Sequence, residues 1–274
     1  LFLHLSSSPE ARAGLLPTII TLNDTQISRL GDLAGLQLSH VTELDLTGNS
    51  LSSWLEVLDI LQAFPALTFL NLAHNQLSGE ELVLEKTLTF PLTKLVLNCN
   101  PVSWRSVSLL LPLLPHLQEL RLSSCSLPDP GPGDQLGHAG LSHLYLSCNP
   151  LSSFSLLTTR LLAHLPSLSS LSLAECPNIS LLPDPASLPL LPPFLSSLNL
   201  SSTGLSSLSE LERVSSLPSL SSLRLLGCPL LLTLEDSRAE VIARLPNVLR
   251  LNGGDAISLA EREDAERALV RRWM

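Results

Sequence analysis

The chain has 274 residues, a net charge of -9 and an isoelectric point near 5.2, a balance that argues against nucleic-acid binding, which needs clustered Lys and Arg. It is 45% hydrophobic but only 4% aromatic, so its core has to be built from aliphatic side chains. No stretch approaches the roughly 18 consecutive apolar residues of a membrane-spanning helix.

The opening Leu-Phe-Leu-His-Leu has no basic segment before it, which speaks against a signal peptide. From there a pattern of apolar residues recurs. A degenerate first copy holds Pro17, Ile20, Leu22, Thr25 and Ile27. Fuller copies start at Val41, Leu67, Leu92, Leu117, Leu141, Leu168, Leu195 and Leu220, separated by 24 to 27 residues. Leu141-Ser-His-Leu-Tyr-Leu-Ser-Cys-Asn-Pro-Leu151 is the clearest example. Leu144 and Leu146 alternate with His143 and Tyr145, which predicts a short strand with the leucines pointing inward. Asn49, Asn75, Asn100 and Asn149 end four of these strands. Each amide can donate to and accept from backbone groups that a buried turn would otherwise leave unpaired.

The segments after the strands predict short helices. Residues 52–65 open with Ser52-Ser53-Trp54, carry apolar residues at helical spacing and stop at Pro65; residues 103–115, 152–166 and 206–218 repeat this design. Two joins are irregular: a turn-forming loop over 128–137 and a proline-rich stretch, read as extended, over 183–193. At the end, Leu251-Asn-Gly closes a truncated copy, and Ser258 with Glu261 three residues on forms a capping-box pattern before a charged helix expected to cover the last sheet edge.

L-x-x-L-x-L-x-x-N-x-L at this period is the leucine-rich repeat pattern. The fold class expected is α/β: a leucine-rich repeat solenoid with a curved parallel sheet on its concave face and short helices and loops on its convex face. Residues 1–16 read as an N-terminal flank, 17–252 as about nine repeats and 253–274 as a helical cap.

The five cysteines begin at Cys99 and stop at Cys228, so neither end carries a cysteine cap, and the compartment reads as reducing. Asn23, Asn178 and Asn199 stand in sequons, which in such a compartment are chance matches. Cys125, Cys176 and Cys228 occupy the asparagine position and read as structural. Cys99 and Cys148 each precede that position, and no set of thiols and histidines has ligand spacing, so neither metal nor cofactor is expected. No nucleophile elbow, phosphate-cradling glycine loop or zinc-protease helix is present, and the chain reads as a non-enzyme. Trp54 and Trp104 open convex segments at equivalent places and read as packing residues.

Several segments resemble the cofactor E-like family of tubulin-specific chaperones. They are Leu223-Arg-Leu-Leu-Gly-Cys-Pro-Leu-Leu, Val241-Ile-Ala-Arg-Leu-Pro-Asn-Val, Leu251-Asn-Gly and Glu261-Arg-Glu-Asp-Ala-Glu-Arg267. Thr42-Glu-Leu-Asp-Leu with Trp54-Leu-Glu-Val, Phe69-Leu-Asn-Leu, and Lys94-Leu-Val-Leu-Asn with Ser103-Trp104 are similar to its early repeats, in the same order; the likeness runs over 17–272. It implies a cytoplasmic, cytoskeleton-associated scaffold that contacts αβ-tubulin and regulates heterodimer stability or turnover. The family's ubiquitin-like domain and the glycine-rich domain of cofactor E have no counterpart in this sequence, and 128–140 fits the family poorly. The alternative is a repeat-built regulatory or targeting subunit for another intracellular partner, such as a phosphatase or splicing factor.

The outward strand positions are the expected contact surface. One column reads Glu43, Phe69, Lys94, Glu119, His143, Ser170, Ser197, Ser222; the next reads Asp45, Asn71, Val96, Arg121, Tyr145, Ser172, Asn199, Arg224. Aromatics and arginine dominate protein interfaces, which singles out Phe69, Lys94, Arg121, His143 and Tyr145 as the partner-binding residues. No membrane or nucleic-acid contact is expected.

Overall fold

The computed structural model describes residues 16–31, 33, 36–78, 88–181 and 193–273. The chain forms two compact units, residues 1–127 with 134–141, and residues 128–133 with 142–274. The proline-rich reading of 183–193 falls almost wholly outside the described residues.

In the first unit, β1 (Ile19–Thr21), β2 (Glu43–Asp45), β3 (Phe69–Asn71), β4 (Lys94–Val96) and β5 (Glu119–Arg121) are parallel and pair in chain order. The register puts like repeat positions side by side: Leu44, Leu70, Leu95 and Leu120 form one row. All are buried, as are Leu46, Leu72, Leu97 and Leu122 just beyond the strands. The period seen in the sequence is therefore the distance from one strand to its neighbour. α1 (Trp54–Ala63) and α2 (Trp104–Leu110) follow β2 and β4, and a 3-10 turn over Leu111–Leu113 prolongs α2. Ser53 and Ser103 cap them, Ser53 accepting from Leu55 N at 3.2 Å and Ser103 from Ser106 N at 3.1 Å. Each of these bonds satisfies one N–H that the first helical turn leaves open. Trp54 and Trp104 open the helices and are both buried.

The second unit repeats the plan with β6 (His143–Tyr145), β7 (Ser170–Ser172), β8 (Ser197–Asn199), β9 (Ser222–Arg224) and β10 (Arg250–Leu251). Its helices are α3 (Phe154–Arg160), α4 (Leu208–Ser215), the single turn α5 (Leu230–Thr233), α6 (Ser237–Arg244) and α7 (Leu259–Trp273). The loop opening at Pro128 carries no helix, as the sequence implied; its Asp129 accepts from the backbone N–H groups of Ser152 and Ser153 at 2.9 and 3.1 Å.

The asparagines form a ladder. Asn100 donates from Nδ2 to Leu72 O at 2.8 Å and Leu97 O at 3.1 Å, while its Oδ1 accepts from Leu77 N at 3.0 Å. Asn49 and Asn75 make the same bonds to the repeat before them. Where cysteine replaces asparagine the ladder changes. Cys125 Sγ donates to Leu97 O at 3.2 Å, and Val102 N folds back to Asn100 O at 2.8 Å. Cys176 does likewise, with Sγ on Leu146 O and Leu151 N turned to Asn149 O.

The residue before each ladder position is left-handed, with φ of 54° to 76° at Gly48, His74, Cys99, Ser124, Cys148, Glu175, Ser202, Gly227 and Asn252. This is where Cys99 and Cys148 sit, one step before Asn100 and Asn149; Cys99 is half-buried and Cys148 exposed. A hydroxyl column adds a further stitch. Thr68 Oγ1 donates to Thr42 O and Thr93 Oγ1 to Thr68 O, and Ser169, Ser196 and Ser221 continue the habit in the second unit at 3.1 to 3.2 Å.

The terminal helix does not lie on the sheet edge. Ala256 bridges antiparallel to Arg250, and Ile257 N donates to Leu249 O at 2.8 Å, so the connecting segment meets β10. α7 packs instead on α6. Ser258 caps it through Glu261 N at 3.1 Å, but the Glu261 carboxylate turns to Arg238 Nε at 2.7 Å rather than closing the capping box. Arg262 reaches the carbonyls of Ile242, Leu245 and Val248 and so fastens α7 to the end of α6.

The five thiols are free, and burial separates them. Desolvation raises the Cys125 pKa from 9.0 to about 11 against the opposing pull of the Asn100 and Cys99 N–H groups, and raises that of Cys176. Cys148 is exposed. At mildly alkaline pH a maleimide should modify Cys148 in the folded protein and reach Cys125 and Cys176 only on unfolding; mass spectrometry of quenched samples reads this out. The sign follows for stability. The unfolded thiol ionises first, so the contribution of Cys125 is full below pH 9.0 and lost as pH rises through about 11.

Candidate partner-binding face

Alternation along the strands sends one side chain inward and its neighbours outward. The five residues singled out above all lie on outward strand positions, and all are half-buried rather than fully exposed.

The first unit brings three of them together. Phe69 and Lys94 are directly opposite, as are Lys94 and Glu119, and Val96 and Arg121. The Lys94 ammonium stands 5.5 Å from the Phe69 ring centroid, within cation–π range. Its Nζ is also 3.3 Å from Glu119 Oε1, and Arg121 Nε donates to the same oxygen at 2.6 Å. One carboxylate thus holds both cations and carries half the geometry. Glu119 stands in the same outward column but is neither aromatic nor basic, so composition alone does not single it out. Register places the three residues side by side, and only rotamers decide that both cations converge on one oxygen. Burial raises the Glu119 pKa, but the hydrogen bonds and charges of Arg121 and Lys94 outweigh it and hold the carboxyl below its ordinary value. The result is a fixed platform: a ring, two cations and a carboxylate with little freedom left to lose on binding.

Beside it the character changes. Asp45 accepts from Thr47 Oγ1 at 2.6 Å and from Asn71 Nδ2 at 3.1 Å, so the β2–β3 end is acidic and internally bonded. Val96, placed outward by alternation, is buried.

His143 and Tyr145 lie in the second unit, on β6. His143 Nδ1 is 2.8 Å from Ser142 Oγ. Tyr145 stands opposite Ser172, whose hydroxyl meets Ser147 Oγ at 2.9 Å. On the neighbouring strand they face Ser170 and Ser172. Among the described residues, no group of three or more His, Cys, Asp or Glu side chains is placed to hold a metal ion, and no helix is long and apolar enough to cross a membrane.

Ladder, row of leucines and parallel register together define a leucine-rich repeat protein. A family model described as Leucine Rich repeat matches residues 37–53. Structures of the mouse RP105/MD-1 complex (23% identity, TM-score 0.51, 85% of this chain and 33% of that one) and of an internalin, inlF, from Listeria monocytogenes (16% identity, TM-score 0.50, 91% and 71%) share the fold.

Among curated proteins the chain is 38% identical over 267 residues to the tubulin-specific chaperone cofactor E-like protein of Rattus norvegicus, covering 94% of this chain and 62% of that protein. It is 29% identical to the protein of that name from Caenorhabditis elegans (92% and 58%) and 32% identical to human tubulin-specific chaperone E (93% and 50%). The resemblance drawn from the repeat endings and tryptophan turns is thus borne out: the chain is similar to the cofactor E-like proteins over nearly all of its length. It spans about six-tenths of their length.

Proposed function

We propose that the chain is a non-catalytic scaffold that binds tubulin and regulates the stability or turnover of the αβ heterodimer, in the cytoplasm and in association with the cytoskeleton. The similarity over 94% of the chain to proteins named as tubulin-specific chaperone cofactors carries this reading. Residues 17–252 are proposed as the binding repeats and 253–274 as their cap. The Phe69–Lys94–Glu119–Arg121 platform supports the reading from geometry, because it is ordered, half-buried and rich in the side chains that anchor interfaces. His143 and Tyr145 are proposed to contribute contacts from the second unit.

The test is binding of αβ-tubulin to the full chain and to Phe69→Ala with Arg121→Ala, and to His143→Ala with Tyr145→Ala. Each pair should weaken binding at least about tenfold, or about 1.4 kcal/mol, with an unchanged circular dichroism spectrum. Parent-level affinity in both variants would reject the faces, and a parent chain that does not bind would reject the partner.

A further inference from the structure

The outward face of the second unit ends on two arginines that the proposed tubulin contacts do not use. Arg224 closes β9 and Arg250 opens β10, and both are exposed beside buried Leu223 and Leu251. The register sets Arg250 opposite Ser222, two residues before Arg224. One strand across and two residues along puts their Cα atoms about 8 Å apart.

Neither guanidinium has an ion-pair or hydrogen-bond partner among the described residues, where Arg238, Arg244, Arg267 and Arg272 all pair with carboxylates. The columns leading to them hold Ser170, Ser172, Ser197, Asn199 and Ser222, with no carboxylate. The first unit differs: there Glu119 pairs with both Lys94 and Arg121. Arg224 is also placed rather than loose. A Cβ built on Gly253 would meet its Nη2 at 3.3 Å and Cζ at 3.5 Å, so the guanidinium lies along the backbone of Gly253, whose φ is +75°. Leu226, two residues after Arg224, and Leu249, just before Arg250, are both exposed.

Two neighbouring cations without a counter-ion repel each other, and a chain of net charge -9 has had carboxylates to spare for them. We propose that this end of the face, built on Arg224 and Arg250, is a docking site for an extended acidic peptide. Its carboxylates bridge the two guanidiniums, its backbone lies along the serine columns, and an apolar residue rests on Leu226 or Leu249. Arginine suits this task because its planar fork takes a carboxylate through two parallel bonds.

The experiment measures fluorescence anisotropy of a labelled glutamate-rich peptide with the full chain, beside its glutamine counterpart. The glutamate peptide should bind, and added salt should weaken it. Arg224→Gln with Arg250→Gln should weaken it at least about tenfold, while Lys94→Gln with Arg121→Gln should change it less than about twofold. Failure of the glutamate peptide to bind would overturn the proposal. So would equal binding of the glutamine peptide, or a loss confined to the Lys94 and Arg121 variant. A second titration with single-stranded RNA distinguishes a general polyanion patch: RNA bound more tightly than the peptide and lost in the same double variant would overturn the peptide assignment. None of these outcomes depends on whether tubulin is the partner.

Discussion

Asn100→Ala should lose about 3–5 kcal/mol of unfolding free energy, among the largest single effects in the first unit. The side chain is 1% exposed. Removing it leaves the buried Leu77 N–H without an acceptor, which costs about 1–3 kcal/mol by itself. It also withdraws a donor from the carbonyls of Leu72, Leu97 and Asn98. Asn100→Asp should fare no better, since it keeps the acceptor but turns a carboxylate oxygen toward those carbonyls. Cys125→Ala is the informative contrast. Its thiol makes sulfur bonds to the backbone carbonyls of Leu97 and Ser123, and Val102 N already has its own partner, so the loss should be about 1–2 kcal/mol. Urea melts of the three variants decide the matter; equal losses for Asn100→Ala and Cys125→Ala would mean that the ladder amide is not what holds the turn.

Leu146→Ala should cost about 2–5 kcal/mol, and Tyr145→Ala about 1 kcal/mol or less. The two are adjacent, but Leu146 is wholly buried among the leucine rows while Tyr145 is half-buried on the outward face. Truncating Leu146 opens a cavity in a row whose neighbours are held by register and cannot collapse into it. Truncating Tyr145 uncovers a surface of serines. Denaturant midpoints at constant slope give both numbers, and a Tyr145→Ala loss as large as that of Leu146→Ala would show the aromatic to be part of the core.

Much of this was legible before any coordinates, for a specific reason. A repeat places each residue type at the same spot in every copy, so Leu44, Leu70, Leu95 and Leu120 could be put in one row from spacing alone. The serine caps Ser53, Ser103 and Ser207 were legible for the same reason. What escaped were facts that differ from copy to copy or depend on rotamers. Glu119 is one of several acidic residues in the outward columns, and only its position between Lys94 and Arg121 makes it the hub. Arg262 resembles its charged neighbours on α7, yet it faces the carbonyls at the end of α6. The left-handed turn left a signal in Gly48 and Gly227, which share a repeat position with Cys99 and Cys148. Glycine there marks a conformation that costs other residues about 1–2 kcal/mol.

The ladder also has a direction. Asn49 serves Leu22 and Ile27, Asn75 serves Leu46 and Leu51, and Asn100 serves Leu72 and Leu77. Glu56 accepts from Leu30 N and Glu210 from Leu181 N in the same backward sense. These turns are therefore finished by side chains that lie 22 to 29 residues later in the chain. On a ribosome adding about 5–20 residues per second, each of these repeats waits for a second or more with open backbone groups until its successor emerges. The growing end is the unfinished end throughout synthesis, and Arg262 acts in the same backward sense on a different set of groups, the carbonyls of Ile242, Leu245 and Val248 that lie 14 to 20 residues before it.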